Sequence, residues 1–141
     1  MLIAFFVSAV GEELGWSGYA LAPLQDRWGA LGASLTLGAM GVVWHLIPLL
    51  RRHSSPTWIA WWCLHALAAQ VLIVCLYIKT GKSVFAAALF HATLNLACML
   101  LPMNGAHFDI RLSGIIMAVV AFAAVAVWGP KTLTRARRAK V

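Results

Sequence analysis

Two adjacent carboxylates lie inside an apolar run near the start of this chain. Glu12 and Glu13 are half of the four acidic residues in the sequence, and residues 1–25 contain no other charged side chain. An ionisable side chain at membrane depth costs about 2.5–3.5 kcal/mol to insert, so such residues usually have a function. We therefore interpret the pair as the centre of a reactive site.

Further polar side chains are embedded in later apolar segments. His45 lies in one of them, and His91 and Asn95 lie four residues apart in another. This spacing places both side chains on one face of a helix, one turn apart, where they can address the same small group. We predict that Glu12, Glu13, His45, His91 and Asn95 converge inside a helix bundle.

Hydrolysis of an amide is the chemistry that suits this set of side chains. A carboxylate in a low-dielectric site, next to a second carboxylate, can act as a general base on water near neutral pH. A histidine can hold the same water or shuttle its proton. An asparagine amide and a second histidine can donate hydrogen bonds to the developing oxyanion.

A zinc site is the competing interpretation. Two histidines and one glutamate form the ligand set of a hydrolytic zinc site with an open water position. The ligands would here be Glu12, His45 and His91. The HExxH helix that usually presents such ligands is absent, and the three residues lie on separate segments. The residue chemistry alone leaves both mechanisms open.

The composition is that of a membrane protein. The chain has 141 residues, of which 62% are hydrophobic, and a mean hydropathy of +0.86. We predict an all-α transmembrane bundle of about five spans around a polar intramembrane cavity, formed by residues 1–130 and followed by a basic cytoplasmic tail, residues 131–141. Apolar segments of spanning length cover roughly residues 2–24, 30–50, 58–78, 83–101 and 112–128.

Small residues in the second segment predict a close helix contact. Ala30, Ser34 and Gly38 recur at intervals of four and form a face on which another helix can approach closely. Gly11 and Gly15 offer a matching groove on the first segment. We expect these two segments to pack through these faces.

Three further expectations concern local structure. Pro23 and the polar residues 25–27 predict the end of the first span. His65 is interpreted as a residue that hydrogen-bonds between helices, because it has no motif and no polar partner at helical spacing. The cysteines are far apart and odd in number, so we expect unpaired side chains at Cys63, Cys75 and Cys98.

The distribution of basic residues predicts orientation and partners. Five of the eleven Lys and Arg residues lie in the last eleven positions, directly after an apolar segment. This pattern is typical of a cytoplasmic membrane flank and argues against a nucleic-acid surface. We expect a protein of the cytoplasmic membrane of a bacterium, with a cytoplasmic C-terminus, whose partners are the lipid bilayer and a peptide or protein substrate.

Three motifs in order resemble the CPBP family of intramembrane endopeptidases. They are Glu-Glu-Leu-Gly-Trp-Ser from Glu12, Trp-His-Leu-Ile-Pro from Trp44, and His-Ala-Thr-Leu-Asn from His91. The family includes the CAAX prenyl proteases and the bacteriocin-processing or immunity (Abi) proteins. The resemblance covers about residues 10–100 and implies a cavity that opens toward the cytoplasm.

The resemblance also implies a function and a role for each site residue. Glu12 and His45 would activate water, Glu13 would support Glu12, and His91 with Asn95 would stabilise the oxyanion. The chain would be an endopeptidase that cleaves prenylated or leader-type peptides, and a glutamate-dependent mechanism without a cofactor is favoured over zinc.

Departures from the family pattern favour an alternative, a non-catalytic immunity or scaffold relative. Ser17 stands at the usual arginine position of the first motif, and Gly41 stands at the usual phenylalanine position of the second. Family members generally have further helices before the first motif, so we expect a minimal or truncated member or one that has lost catalysis. His45 is also predicted to lie about 10 Å deeper than the glutamates.

Overall fold

The chain is built from helices throughout its described part. The computed structural model describes residues 2–52, 55–103 and 109–134, and within these ranges every regular element is helical, which confirms the all-α prediction. The elements are α1 (Leu2–Glu13), a π-helical segment (Leu14–Ala20), α2 (Leu21–Arg52), α3 (Pro56–Lys79), α4 (Val84–Met103) and α5 (Ile110–Trp128).

Several of these helices are long and apolar enough to cross a membrane. Three stretches of the described chain meet that condition, Leu2–Arg51, Pro56–Lys79 and Ile110–Trp128, and Val84–Leu100 is a shorter apolar helix. The first stretch has 50 residues. At 1.5 Å per residue it is about 75 Å long, more than twice the hydrocarbon thickness of a bilayer. It therefore accounts for two of the five predicted segments.

Gly29 divides that long first stretch. Helical structure continues through Pro23 and the polar residues 25–27, and it is interrupted at Gly29, where φ is 71° and ψ is 174°. The end predicted at Pro23 and residues 25–27 therefore lies a few residues before the observed break at Gly29. Proline is tolerated inside a membrane helix where local π-helical adjustments re-satisfy the freed backbone groups, and Pro23 follows the π-helical segment as the third residue of α2.

The small-residue face of α2 packs against α3. Ala30 and Ser34 are fully buried, and a Cβ at Gly38 would lie 3.1 Å from a methyl group of Leu67. The predicted close contact is confirmed, but its predicted partner was wrong. A Cβ at Gly11 or Gly15 would meet nothing within 4 Å, since neither glycine faces a closely packed helix.

Helices α3 and α5 run parallel and in register. The Ser113 hydroxyl lies 3.0 Å from His65 Nδ1, and 14 residues further along α3 the Lys79 ammonium lies 3.5 Å from the centre of the Trp128 ring. His65 is buried. Its predicted role as a hydrogen-bonding residue between helices is confirmed.

The chain after α5 closes the end of the bundle at which Lys79 lies, here called the Lys79 end. The N–H groups of Ala30 and Leu31 donate to the carbonyl oxygens of Lys131 and Pro130, at 2.8 and 2.9 Å. These N–H groups follow the break at Gly29 and would otherwise be unpaired at the start of a helix. Leu133 is completely buried, so the first residues of the predicted tail pack on the bundle. Residues 135–141 of that tail lie outside the described residues.

Cys63, Cys75 and Cys98 are free, as predicted.

Asp109 precedes α5, and its carboxylate accepts a hydrogen bond of 2.8 Å from the Arg111 N–H. This hydrogen bond lowers the pKa of Asp109 below its usual value.

We predict that Gly29→Ala destabilises the protein by about 1–3 kcal/mol. The backbone at Gly29 has a positive φ, and an added Cβ would lie 3.3 Å from Lys131 Cα. The free energy of unfolding in detergent measures the effect. Gly41→Ala is the matched control, because a Cβ there meets nothing within 4 Å. Equal stability of the two variants would contradict this account of the break.

Candidate active site

Alanines at the contact between α1 and α4 bring the two glutamates close to His91. Ala9 of α1 and Ala88 and Ala92 of α4 are completely buried against one another. Their short side chains allow the two backbones to approach closely. One turn after Ala9, Glu13 reaches α4 at the level of His91.

Glu13 is the buried member of the pair, with no exposed surface. Its carboxylate contacts the Ser17 hydroxyl through Oε2, and its Oε1 lies 2.9 Å from His91 Nδ1. An ionised carboxylate only accepts hydrogen bonds, so both partners donate. Nδ1 therefore carries the proton of the neutral His91 ring, and its other nitrogen, Nε2, is free to accept.

Glu12 is the accessible member of the pair, with a third of its side chain exposed. Its Oε1 accepts a hydrogen bond of 3.4 Å from the Ser8 hydroxyl, and its Oε2 lies 4.0 Å from His91 Nε2. This separation is compatible with one bridging water at about 2.8 Å from each atom. The two glutamates thus address opposite nitrogens of one imidazole ring.

The π-helical segment begins directly after the glutamates. It contains Ser17, and it packs against the start of α4, where a Cβ at Gly18 would lie 3.5 Å from Val84. Single-turn π-helical segments are uncommon and often occur at functional sites. Neither this segment nor the hydrogen bonds of the two serines were predicted from the sequence. The spacing of four residues between Ser8 and Glu12, and between Glu13 and Ser17, is the signal that indicates these bonds.

Asn95 lies one helical turn beyond His91 on α4, as its spacing predicted. Its side chain is half-buried, and it has no hydrogen bond to any other residue in the part of the chain that the structure describes. Its amide is therefore available to a ligand in this arrangement.

His45 lies apart from the other site residues. Its Nδ1 is 2.8 Å from the Gly41 carbonyl oxygen of its own helix, and its ring lies 5.6 Å from that of Trp62 on α3. Within the described ranges, no hydrogen bond or ion pair joins it to Glu12 or Glu13.

Depth along the helices accounts for this separation. His45 is 16 residues beyond Gly29, or about 24 Å from the Lys79 end, whereas His91 is seven residues into α4, or about 11 Å. The predicted difference in depth is therefore present in the fold.

The zinc ligands predicted from sequence are not assembled in this arrangement. No three His, Cys, Asp or Glu side chains among the described residues are placed to hold a metal ion. The Nδ1 of His91 is engaged by Glu13, and His45 hydrogen-bonds within its own helix. The described residues in this arrangement therefore do not fit a three-ligand zinc site, and zinc stays a prediction.

One cavity of the structure lies far from the glutamates. It has a volume of about 530 Å³ and lies between the starts of α3 and α5, where Trp58, Trp61, Asp109 and Arg111 line it. The glutamates and His91 lie nearer to the opposite, Lys79 end. The cavity predicted around the glutamates stays a prediction.

Comparison with known proteins places the chain in a family. A family model described as type II CAAX prenyl endopeptidase Rce1-like matches residues 1–97, which include every predicted site residue. The chain belongs to the Rce1-like CAAX prenyl endopeptidase family. Its family and its long apolar helices together show that it is an integral membrane protein.

The chain is also similar to the CAAX prenyl protease 2 of Methanococcus maripaludis. It is 32% identical over 113 residues. The alignment covers 74% of this chain and 41% of the relative, so the chain spans less than half of that protein's length.

Proposed function

We propose that the chain acts as an intramembrane endopeptidase that hydrolyses a peptide bond by direct attack of water. The observation that carries the proposal is the pair of contacts at His91, 2.9 Å from Glu13 at Nδ1 and 4.0 Å from Glu12 at Nε2. The family supports endopeptidase activity, and prenylated or leader-type peptides are the proposed substrates.

In the first step, Glu12 acts as the general base. A water between Glu12 and His91 donates one hydrogen bond to each, and its oxygen attacks the carbonyl carbon of the peptide as its proton passes to Glu12. Glu13 takes no part in this transfer, because it is buried and both of its oxygens have partners. It holds the imidazole ring in position.

In the second step, the oxyanion collapses and the peptide bond breaks. The Asn95 amide donates to the oxyanion from one turn beyond His91. The second hydrogen of the attacking water stays on the new carboxyl group, where His91 Nε2 accepts its hydrogen bond. The proton held by Glu12 passes to the leaving amine nitrogen, which restores the carboxylate.

His45 stays in the proposed site as the second histidine that the order of motifs implies. In the present arrangement it lies about 13 Å deeper than His91 along the helices. To reach the water, α2 would have to move or tilt relative to α4. Such a movement would change the contact between the His45 ring and the Trp62 ring of α3.

The proposed orientation places the Lys79 end in the cytoplasm. The basic residues at this end are Arg27, Lys79, Lys82 and Lys131, and those at the other end are Arg51 and Arg52 at the end of α2 and Arg111 at the start of α5. This distribution agrees with the preference of basic residues for the cytoplasmic side. The water between Glu12 and His91 would then lie about 11 Å from the cytoplasmic surface.

A non-catalytic membrane relative is the second candidate function. The separation of His45 from the glutamates favours it, because a water held by Glu12 and His91 alone lacks one of the two histidines expected from the family pattern. Such a protein would keep the helices and bind a peptide or a partner without cleaving it.

We predict that purified protein in liposomes cleaves peptides from a pool that includes prenylated peptides. Glu12→Ala should lower the cleavage rate at least 100-fold, because it removes the general base. Asp26→Ala, which removes an exposed carboxylate of α2, is the matched control and should retain the rate. Activity that survives a strong zinc chelator supports the metal-free mechanism. Activity that the chelator abolishes and zinc restores supports the metalloprotease. A folded wild type that cleaves nothing supports the non-catalytic relative.

We predict that His45→Phe also abolishes cleavage while leaving the melting temperature within a few degrees of wild type. Phenylalanine keeps a ring against Trp62 but has no nitrogen to hold water. Trp62→Phe, which changes the other ring of the contact, is the control. Full cleavage by folded His45→Phe would remove His45 from the site and confine the chemistry to α1 and α4.

A further inference from the structure

Ser17 is the only hydroxyl that contacts the buried glutamate among the described residues. Its side chain is 1% exposed, and its Oγ donates to Glu13 Oε2. The other oxygen of that carboxylate, Oε1, is the one that His91 Nδ1 contacts. Ser17 and His91 thus contact different oxygens of the same carboxylate group.

We infer that Ser17 is a positioning residue of the proposed peptidase, which orients His91 through Glu13. This inference rests on the proposed function and extends it to a residue that touches neither substrate nor water. The serine was expected from sequence to weaken the site, since it brings no positive charge. Its hydroxyl instead fixes the carboxylate by a direct hydrogen bond.

The orienting effect follows from the geometry of a carboxylate. With a donor on Oε2 alone or on Oε1 alone, the group can rotate about its terminal torsion, which has a broad energy minimum. With a donor on each oxygen, rotation breaks a hydrogen bond to a charged group, one of the stronger kinds in proteins. The rotation of Glu13 is therefore restricted, and the Nδ1–H of His91 has one fixed acceptor.

A fixed acceptor determines both the tautomer and the direction of the ring. The proton stays on Nδ1, and Nε2 stays 4.0 Å from Glu12 Oε2, the separation that admits one bridging water. Loss of the Ser17 hydroxyl would free Glu13 to turn away from His91, and both tautomers of the ring would become populated.

Ser34 supplies a matched control for the removal of a buried hydroxyl. It is completely buried, and its hydroxyl donates to the Ala30 carbonyl oxygen at 2.7 Å, four residues earlier in its own helix. It therefore resembles Ser17 in burial and spacing. Its acceptor is a backbone carbonyl at the contact of α2 with α3, so Ser34→Ala tests the loss of a buried hydroxyl without a change at Glu13.

The test compares wild type, Ser17→Ala, Ser17→Thr and Ser34→Ala in liposomes. We expect Ser17→Ala to lower kcat about 10-fold or more with little change in KM, as for the loss of one hydrogen bond to a charged group. Ser17→Thr retains a hydroxyl and should recover most of kcat. Ser34→Ala should retain kcat. Equal kcat in Ser17→Ala and Ser34→Ala would overturn the inference.

A second readout does not depend on cleavage. Nitrogen chemical shifts of labelled histidine distinguish the two neutral tautomers, and His91→Gln assigns the signal. We expect the Nδ1–H form in wild type and Ser34→Ala, and a mixture in Ser17→Ala. An unchanged Nδ1–H signal in folded Ser17→Ala would overturn the inference even if the protein is active. If Ser17→Ala changes the tautomer of His91 but the wild type cleaves nothing, the proposed function is refuted. The positioning role of Ser17 then stays intact.

Discussion

A buried carboxylate with two donors is the constraint on which the arrangement of the site depends. Glu13 has no exposed surface, and an ionised side chain in such a place is tolerated only when it is paired and hydrogen-bonded. One donor comes from its own segment, Ser17, and the other comes from α4, His91. The pairing therefore determines which face of α1 meets α4 and at what depth.

The packing around this pair is consistent with that constraint. The neighbouring contacts of α1 with α4 are made by buried alanines, which add little specificity of their own but let the polar groups come within hydrogen-bonding distance. The π-helical segment then carries the chain from Glu13 toward α2. Glu12, next to Glu13 in sequence, remains accessible, so one pair of identical side chains has two different environments. That difference supports the proposed division of roles, in which one glutamate acts on water and the other holds the imidazole ring.

Helices α2, α3 and α5 form a frame, and their contacts at the Lys79 end include the chain after α5. Helices α3 and α5 are held in parallel register by the pairs His65 with Ser113 and Lys79 with Trp128. Helix α2 begins its long second part at the same end, where backbone carbonyls after α5 accept from its first N–H groups. This frame places the half-buried His45 against Trp62, near the start of α3. The depth of His45 is thus fixed by contacts that do not involve the glutamates.

Much of the fold and part of the site could be predicted from the sequence. Apolar length located the helices, and the spacing of Ala30, Ser34 and Gly38 identified a close contact, because both signals are local. The choice of α3 as partner could not be predicted, since helix pairing depends on the whole bundle. The closeness of Glu13 and His91 agrees with the predicted convergence, whereas the position of His45 depends on the relative shift of α2 and α4, which no local pattern specifies.

The most direct measurement of the central interaction is a double-mutant cycle between Glu13 and His91. The free energies of unfolding in detergent are compared for wild type, Glu13→Ala, His91→Ala and the double variant. Because each single variant leaves a buried polar partner without its hydrogen bond, the account predicts a coupling energy of about 1.5–3 kcal/mol. Additive effects of the two substitutions would show that the two side chains do not interact, and would contradict the proposed arrangement of α1 and α4.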